Sequence, residues 1–344
     1  MHPVDVLKLP FHAAQIATGA KSFQANPILG SRRLNERGLH TARVKLAMRM
    51  AEHRRAALGR HVSSDVRDQY GANGFVRIEG FLPDSVFTAV QREIEEDFER
   101  FDMIQGGTIT RRAMIDVRDL HERPGLRAAR GDPRLAPIIR YVASVGGEPL
   151  STLQIVLAQP SVDADPQTVL HSDTFHPTAK AWLFLHDVGE EDGPFAYVPG
   201  SHRMTPQRLA WEHDVAANAD AIENRYAARG SLRVAADELL SLGYGEPRRM
   251  VVSANTLVVA DTHGFHARSP SAKPTTRVEI YSSLRRNPFV PWTGGHVASI
   301  PPIAARTNAL TTSGLGRLSK LGLRKSPWLA RGLGPIREWP AELA

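Results

Sequence analysis

Apolar positions along the chain change period from one stretch to the next, and the predicted elements follow those changes. Thr41 to Leu58 is rich in helix formers and free of Gly and Pro, which predicts a basic helix with Val44, Ala47, Met48, Ala51 and Ala56 along one face. Gly74 to Ile78 alternates apolar and polar positions and predicts a short strand. After it, Val86, Val90, Ile94 and Phe98 recur at four-residue spacing, the pattern of an amphipathic helix whose acidic run from Glu93 to Glu99 would face solvent. A second helix is expected from Leu135 to Ala143.

From Leu150 onward short extended runs dominate. Leu150 to Ala158, the stretch around His171, Ala179 to Val188, Phe195 to Val198, Arg249 to Ser253, Thr256 to Asp261 and Arg277 to Leu284 read as strands. Turns such as Glu190-Glu191-Asp192-Gly193-Pro194 separate them, which suggests an antiparallel sandwich or barrel. Trp211 to Arg229 and Val234 to Leu242 read as helices inserted between strands, a candidate wall or lid of a pocket. The expected organisation is a basic, partly helical extension over 1–62, irregular over its first 38 residues. A β-rich body over 63–300 follows, with a helical insert at about 204–245, and then a basic Pro/Gly-containing tail over 301–344 holding at most one short helix.

Charge sharpens this division. Residues 1–60 hold 11 Lys and Arg against 3 Asp and Glu, residues 61–300 hold 25 against 31, and residues 301–344 hold 7 against 2. The basicity therefore belongs to the two ends and the body is mildly acidic, unlike a nucleic-acid binder with a basic working face. No apolar run approaches the roughly 20 residues that span a bilayer, and the N-terminus lacks a secretory pattern. With 0 Cys the chain has no thiol chemistry, which fits a cytoplasmic location. For the basic helix, packing against the body competes with contact to an anionic membrane surface or an acidic partner.

The candidate chemistry begins at His171-Ser172-Asp173. In an extended segment, residues two apart share a face, so an imidazole and a carboxylate would project together. A second His would complete two His and one carboxylate, a ligand set with open positions suited to non-haem Fe(II). His263 and His266, in Ala260-Asp261-Thr262-His263-Gly264-Phe265-His266, are the candidates, and Arg277 lies eleven residues beyond the second.

Together with Ala181-Trp182 and the turn Val198-Pro199-Gly200-Ser201-His202, these motifs resemble, in order, the phytanoyl-CoA dioxygenase family of Fe(II)- and 2-oxoglutarate-dependent oxygenases, over about Tyr70 to Asn287. The resemblance implies a mainly β fold with α, a double-stranded β-helix (jelly-roll, cupin-like) core with flanking and inserted helices. It implies His171, Asp173 and His266 as iron ligands, His266 being preferred to His263 because the family places its ligand eleven residues before the Arg. It also implies Arg277 as the partner of the distal 2-oxoglutarate carboxylate, with Trp182 and Gln154 beside the cosubstrate and O₂ as the oxidant. In related halogenases a small residue replaces the Asp; Asp173 is present, which favours hydroxylation, or another oxidation such as desaturation or ring formation, of a small-molecule or acyl/lipid-type substrate, with succinate and CO₂ as co-products. Two other readings stay open: a cupin-type metal enzyme that does not use 2-oxoglutarate, and a binding protein without turnover. Ser201, His202, His176 and His186 read as structural.

Overall fold

The computed structural model describes residues 8–115, 117–160, 165–294 and 327–339. Two antiparallel sheets form the body. The larger has eight strands in the order β1-β8-β5-β10-β4-β3-β2-β11. In chain order these are β1 (Phe75–Ile78), β2 (Asp97–Gln105), β3 (Thr108–Met114), β4 (Leu150–Ala158), β5 (Ala179–Phe184), β8 (Thr256–Asp261), β10 (Thr275–Leu284) and β11 (Leu329–Pro335). The smaller is β7-β6-β9, with β6 (Phe195–Tyr197), β7 (Arg248–Arg249) and β9 (His266–Arg268). A long and a short antiparallel sheet facing each other make the expected jelly-roll core.

Because side chains alternate along each strand, the large sheet has two different faces. Leu153, Ile155, Leu183, Leu257, Val259, Val278 and Ile280 point away from the small sheet into the main apolar core. Helices carrying Val90, Leu126, Ala129, Ile138, Ile139 and Val142 cover that face. On the opposite face Trp182, Phe184, Val258 and Tyr281 pack against Phe195, Tyr197, Met250 and Val252. Polar and charged residues of the same strands share this inner face, and the chemistry collects there.

Helices α1 (Leu9–Gln15) and α2 (Arg32–Glu36) occupy the stretch expected to be irregular. Helix α3 (Leu39–Leu58) is the predicted basic helix, begun two residues earlier. Its buried side is not purely apolar: Val44, Ala47 and Ala51 are buried with His40, Arg43 and Arg54, whereas Ala56 is exposed. Arg54 donates to the carbonyls of Ser144 and Pro288, the latter at 3.0 Å, and Arg43 to the Thr18 carbonyl at 2.9 Å, so two of the helix's charges bind carbonyl oxygens inside the molecule. The helices of the body are α4 (Ser64–Asn73), α5 (Asp84–Glu93), α6 (Val117–Glu122), α7 (Pro124–Arg130) and α8 (Leu135–Ala143). The insert supplies α9 (Pro206–Ala217), α10 (Arg225–Ala228) and α11 (Ala236–Ser241).

The structure departs from the sequence pattern at three places. Helix α5 ends at Glu93, and Phe98, which continues its four-residue spacing, sits on β2. Glu93 is buried, accepting the amides of Gly125 and Leu126 at 2.7 Å each, so it caps α7 instead of facing solvent. Strands β2 and β3 escape the pattern because their buried positions include Arg100, Asp102, Thr108, Thr110 and Arg111. Asp102 and Arg111 form a two-bond ion pair, at 2.8 and 3.0 Å, which takes the place of an apolar cross-strand contact. In the C-terminal segment, β11 pairs with β2 at the sheet edge, and no helix occurs among its described residues. The remainder of that segment, 301–326 and 340–344, lies outside the described residues.

Candidate metal centre and its two cavities

The stretch around His171 is not a ladder strand. His171 forms isolated bridges with Arg233 and His266, exchanging both backbone hydrogen bonds with His266 at 2.9 Å. The Asp173 amide donates to the Thr262 carbonyl at 2.8 Å, so the segment is pinned at alternate residues and both side chains face inward, as the two-residue spacing requires.

These bonds bring His171, Asp173 and His266 together, with their candidate ligand atoms within 4.8 Å of one another. Nε2 of His171 is 3.8 Å from Asp173 Oδ1, and Nε2 of His266 is 3.8 Å from Asp173 Oδ2. Each imidazole donates its Nδ1 proton to a carbonyl two residues upstream, His171 to Val169 at 2.7 Å and His266 to Gly264 at 2.9 Å. The Nε2 lone pairs are thereby left toward Asp173. Gly264 permits this geometry, since a Cβ there would stand 1.8 Å from the Tyr197 hydroxyl oxygen. His266 Nε2 is buried without a hydrogen-bond partner. A buried orphan acceptor beside a second imidazole and a carboxylate is the condition a divalent cation relieves.

Electrostatics hold the three groups in the states that a metal site would require. Burial, then mutual repulsion, pushes His171 well below the usual imidazole range, and burial takes His266 to about 4, so both are neutral. For Asp173 burial opposes ionisation, but Lys180, His266 and His171 outweigh it and hold the carboxylate well below its ordinary range. Lys180 Nζ is 2.7 Å from Asp173 Oδ2. His263 is absent from the cluster: its Nδ1 bonds the Thr174 carbonyl at 3.0 Å and the ring is fully buried. His202, His176 and His186 also lie outside it, and Ser201 ties the Val198 carbonyl to the Phe265 amide.

Two cavities meet at the cluster. The smaller, about 200 Å³, lies between the sheets and is lined by His171, His266, Gln154, Trp182, Phe195 and Arg277 among others. Arg277 is buried, donates Nη1 to the Gly193 carbonyl, and has its Nε buried without a partner. Trp182 stacks on Phe195 with centroids 4.4 Å apart. Gln154 donates to Glu279 at 2.6 Å and accepts from Arg112 at 2.9 Å, so its amide is engaged by its neighbours. The larger cavity, about 1140 Å³, reaches Asp173; Lys180 and Tyr281 border both.

Lys180, Arg268 and Glu279 line the smaller cavity without having been singled out from the sequence. Each stands two residues from one that was, on the same strand: Lys180 from Trp182, Arg268 from His266 and Glu279 from Arg277. The same period-two rule that joins His171 to Asp173 would have found them.

Residues 70–237 match the family model of phytanoyl-CoA dioxygenase, just under half of the chain. These residues belong to the phytanoyl-CoA dioxygenase family. His171, Asp173, Lys180 and Trp182 fall within the matched segment, while His266 and Arg277 lie beyond it and are brought back by β9 and β10. Members of the family are non-haem iron, 2-oxoglutarate-dependent enzymes. The chain is also similar to several solved structures. These include the nickel- and 2-oxoglutarate-bound HygX of Streptomyces hygroscopicus (18% identity, TM-score 0.44, 64% of this chain and 86% of that chain). They also include two proteins of nogalamycin biosynthesis: the epimerase SnoN (19%, TM-score 0.43, 66% and 82%) and the carbocyclase SnoK (19%, TM-score 0.43, 66% and 85%). A search of curated proteins finds no match to the chain. Among the described residues no helix is long and apolar enough to cross a membrane.

Proposed function

We propose that the protein is an Fe(II)- and 2-oxoglutarate-dependent dioxygenase that oxidises, most simply by hydroxylation, a small molecule held in the larger cavity. The observation that carries this reading is the placement of His171, Asp173 and His266 where the two cavities meet, with the unpartnered Nε of Arg277 in the smaller one.

The donor set fits iron: two neutral imidazoles and one carboxylate leave positions open for cosubstrate and O₂. Bound Fe(II) supplies the activation of O₂ that couples decarboxylation of 2-oxoglutarate to oxidation of the substrate. The protein's part is positioning. The carbonyls of Val169 and Gly264 fix the two imidazoles, and Lys180 holds one oxygen of Asp173. Arg277 offers a planar guanidinium in a buried cavity, where a carboxylate gains two charge-assisted hydrogen bonds and loses little to solvent. Trp182 and Phe195 form an apolar wall that keeps water from the cosubstrate.

The test is conversion of 2-oxoglutarate to succinate and CO₂ with Fe(II) and ascorbate, with and without candidate substrates. Expected is metal-dependent succinate formation, abolished in His266→Ala. Fe(II) binding with no 2-oxoglutarate binding or consumption would overturn the proposal in favour of a metal enzyme of another kind.

A further inference from the structure

The larger cavity has one wall that the family-matched segment does not supply. Phe11, His12, Gln15, Lys21 and Asn26 line it, all from the stretch ahead of α3. This stretch is clamped in place. Arg43 of α3 donates to the carbonyls of Ile16, Thr18 and Ala20 at 3.0, 2.9 and 2.7 Å. Asn287 donates to the Ala17 carbonyl at 2.9 Å, and the Gln24 amide to the Ala228 carbonyl at 3.0 Å. Gly230, with φ +81°, permits the closest approach, since a Cβ there would lie 2.2 Å from the Lys21 carbonyl oxygen.

The charge of the cavity is lopsided. Lys21, Lys180, Arg229, Arg285 and Arg286 line it against Glu148 and Asp173. Both carboxylates are already engaged, Glu148 by Arg140 at 3.2 Å and Asp173 by Lys180 at 2.7 Å. Arg286 donates to the carbonyls of Thr293 and Gly294. Among the described residues the guanidinium groups of Arg229 and Arg285 have no hydrogen bond or ion pair, and the Lys21 ammonium reaches only the Asp173 carbonyl oxygen.

We propose that this cavity takes a small-molecule substrate bearing a phosphate or carboxylate group, recognised by Lys21, Arg229 and Arg285. The segment preceding α3 then acts as a specificity element. The inference rests on the dioxygenase reading for calling the ligand a substrate; the anion site itself stands on the geometry of the cavity. A neutral ligand would leave the Arg229 and Arg285 guanidinium groups without a protein or ligand partner. An anionic one exchanges repulsion for charge-assisted hydrogen bonds.

Calorimetric titration of the full-length protein with phenyl phosphate, phenylacetate and benzyl alcohol at low salt tests this. At least one anion should bind ten-fold or more tightly than benzyl alcohol, and whichever anion binds better identifies the group. The double variant Arg229→Gln/Arg285→Gln, altered only at exposed positions, should lose about ten-fold or more of that affinity, as should Lys21→Met, provided each unfolds at the wild-type temperature. Equal binding of benzyl alcohol and the anions, or undiminished anion binding in the arginine double variant, would overturn the inference. Fe(II) and 2-oxoglutarate are titrated separately into the wild-type protein. Their binding without anion discrimination sinks this inference alone, whereas anion binding without theirs sinks the dioxygenase reading and leaves an anion site.

Discussion

Each candidate ligand histidine is oriented by one hydrogen bond. His171 and His266 spend their Nδ1 protons on the carbonyls of Val169 and Gly264, whereas His263, three residues from His266, turns its Nδ1 to Thr174 and carries a fully buried, unpartnered Nε2 elsewhere. His171→Ala and His266→Ala should therefore lose Fe(II) binding as read by calorimetry. His263→Ala should keep it while lowering the unfolding temperature, because it empties a buried site. Retained iron binding in His266→Ala would reject the assignment. Arg277 makes a second residue-scale prediction. Leaving a buried carboxylate unpaired costs about 2–5 kcal/mol, so Arg277→Ala should raise the apparent 2-oxoglutarate constant by roughly 30-fold or more while Fe(II) still binds. An unchanged constant would assign the dicarboxylate to another cation of the same cavity, such as Arg268. The pattern His-x-Asp, His, eleven residues, Arg was legible because it is a matter of spacing. Lys180 shares a strand face with Trp182, so the same spacing places it on the cavity side, but its ion pair with Asp173 is a tertiary contact that no spacing encodes.

At the scale of elements, periodicity located strands and helices that bury an apolar stripe and missed β2 and β3, whose buried positions carry charge. Strands β4 and β8 and helix α8 have the boundaries their patterns predict. Helix α5 stops short because Glu93 is drawn inward to cap α7, a tertiary contact with residues 32 and 33 positions away. Glu93→Ala should leave the amides of Gly125 and Leu126 buried without acceptors, at about 1–3 kcal/mol each. Urea denaturation should show a loss of at least about 2 kcal/mol, a result that a solvated surface glutamate would not produce. Arg43 is the corresponding device of the N-terminal wall. Since it holds three carbonyl groups, Arg43→Ala should loosen residues 16–20, read as faster amide hydrogen exchange in that segment while exchange in β10 is unchanged.

Over the whole molecule, buried histidines set the response to acid. Burial takes His202 and His263 to about 3 and His176 to about 4, against 6.5 for the exposed ring. The unfolded chain thus binds protons that the folded chain refuses. Stability is full above pH 6.5 and falls with pH until the folded values are reached, by about 1.4 kcal/mol per histidine per pH unit. Asp261 acts in the opposite direction: burial raises it to about 6, so its contribution improves as pH falls from 6 toward 3.8. Three histidines outweigh one carboxylate. Metal-free protein, in which His171 and His266 are likewise held neutral by burial, should therefore lose at least roughly 3 kcal/mol between pH 7.5 and 5.5 by urea denaturation, and a flat profile over that interval would show that these rings are not held neutral.

The sequence by itself determined the family resemblance, the jelly-roll class, the composition of the candidate ligand set and the interval from His266 to Arg277, because these depend on residue type and on separations of a few positions. The tertiary structure alone decided that the unmatched N-terminal stretch walls the larger cavity, that Arg43 and Arg54 point inward, and that Leu329–Pro335 returns to the sheet edge beside β2. Each of those contacts joins residues tens to hundreds of positions apart through a backbone carbonyl or amide. Every residue type supplies those groups, so nothing in the sequence marks which of them will be used.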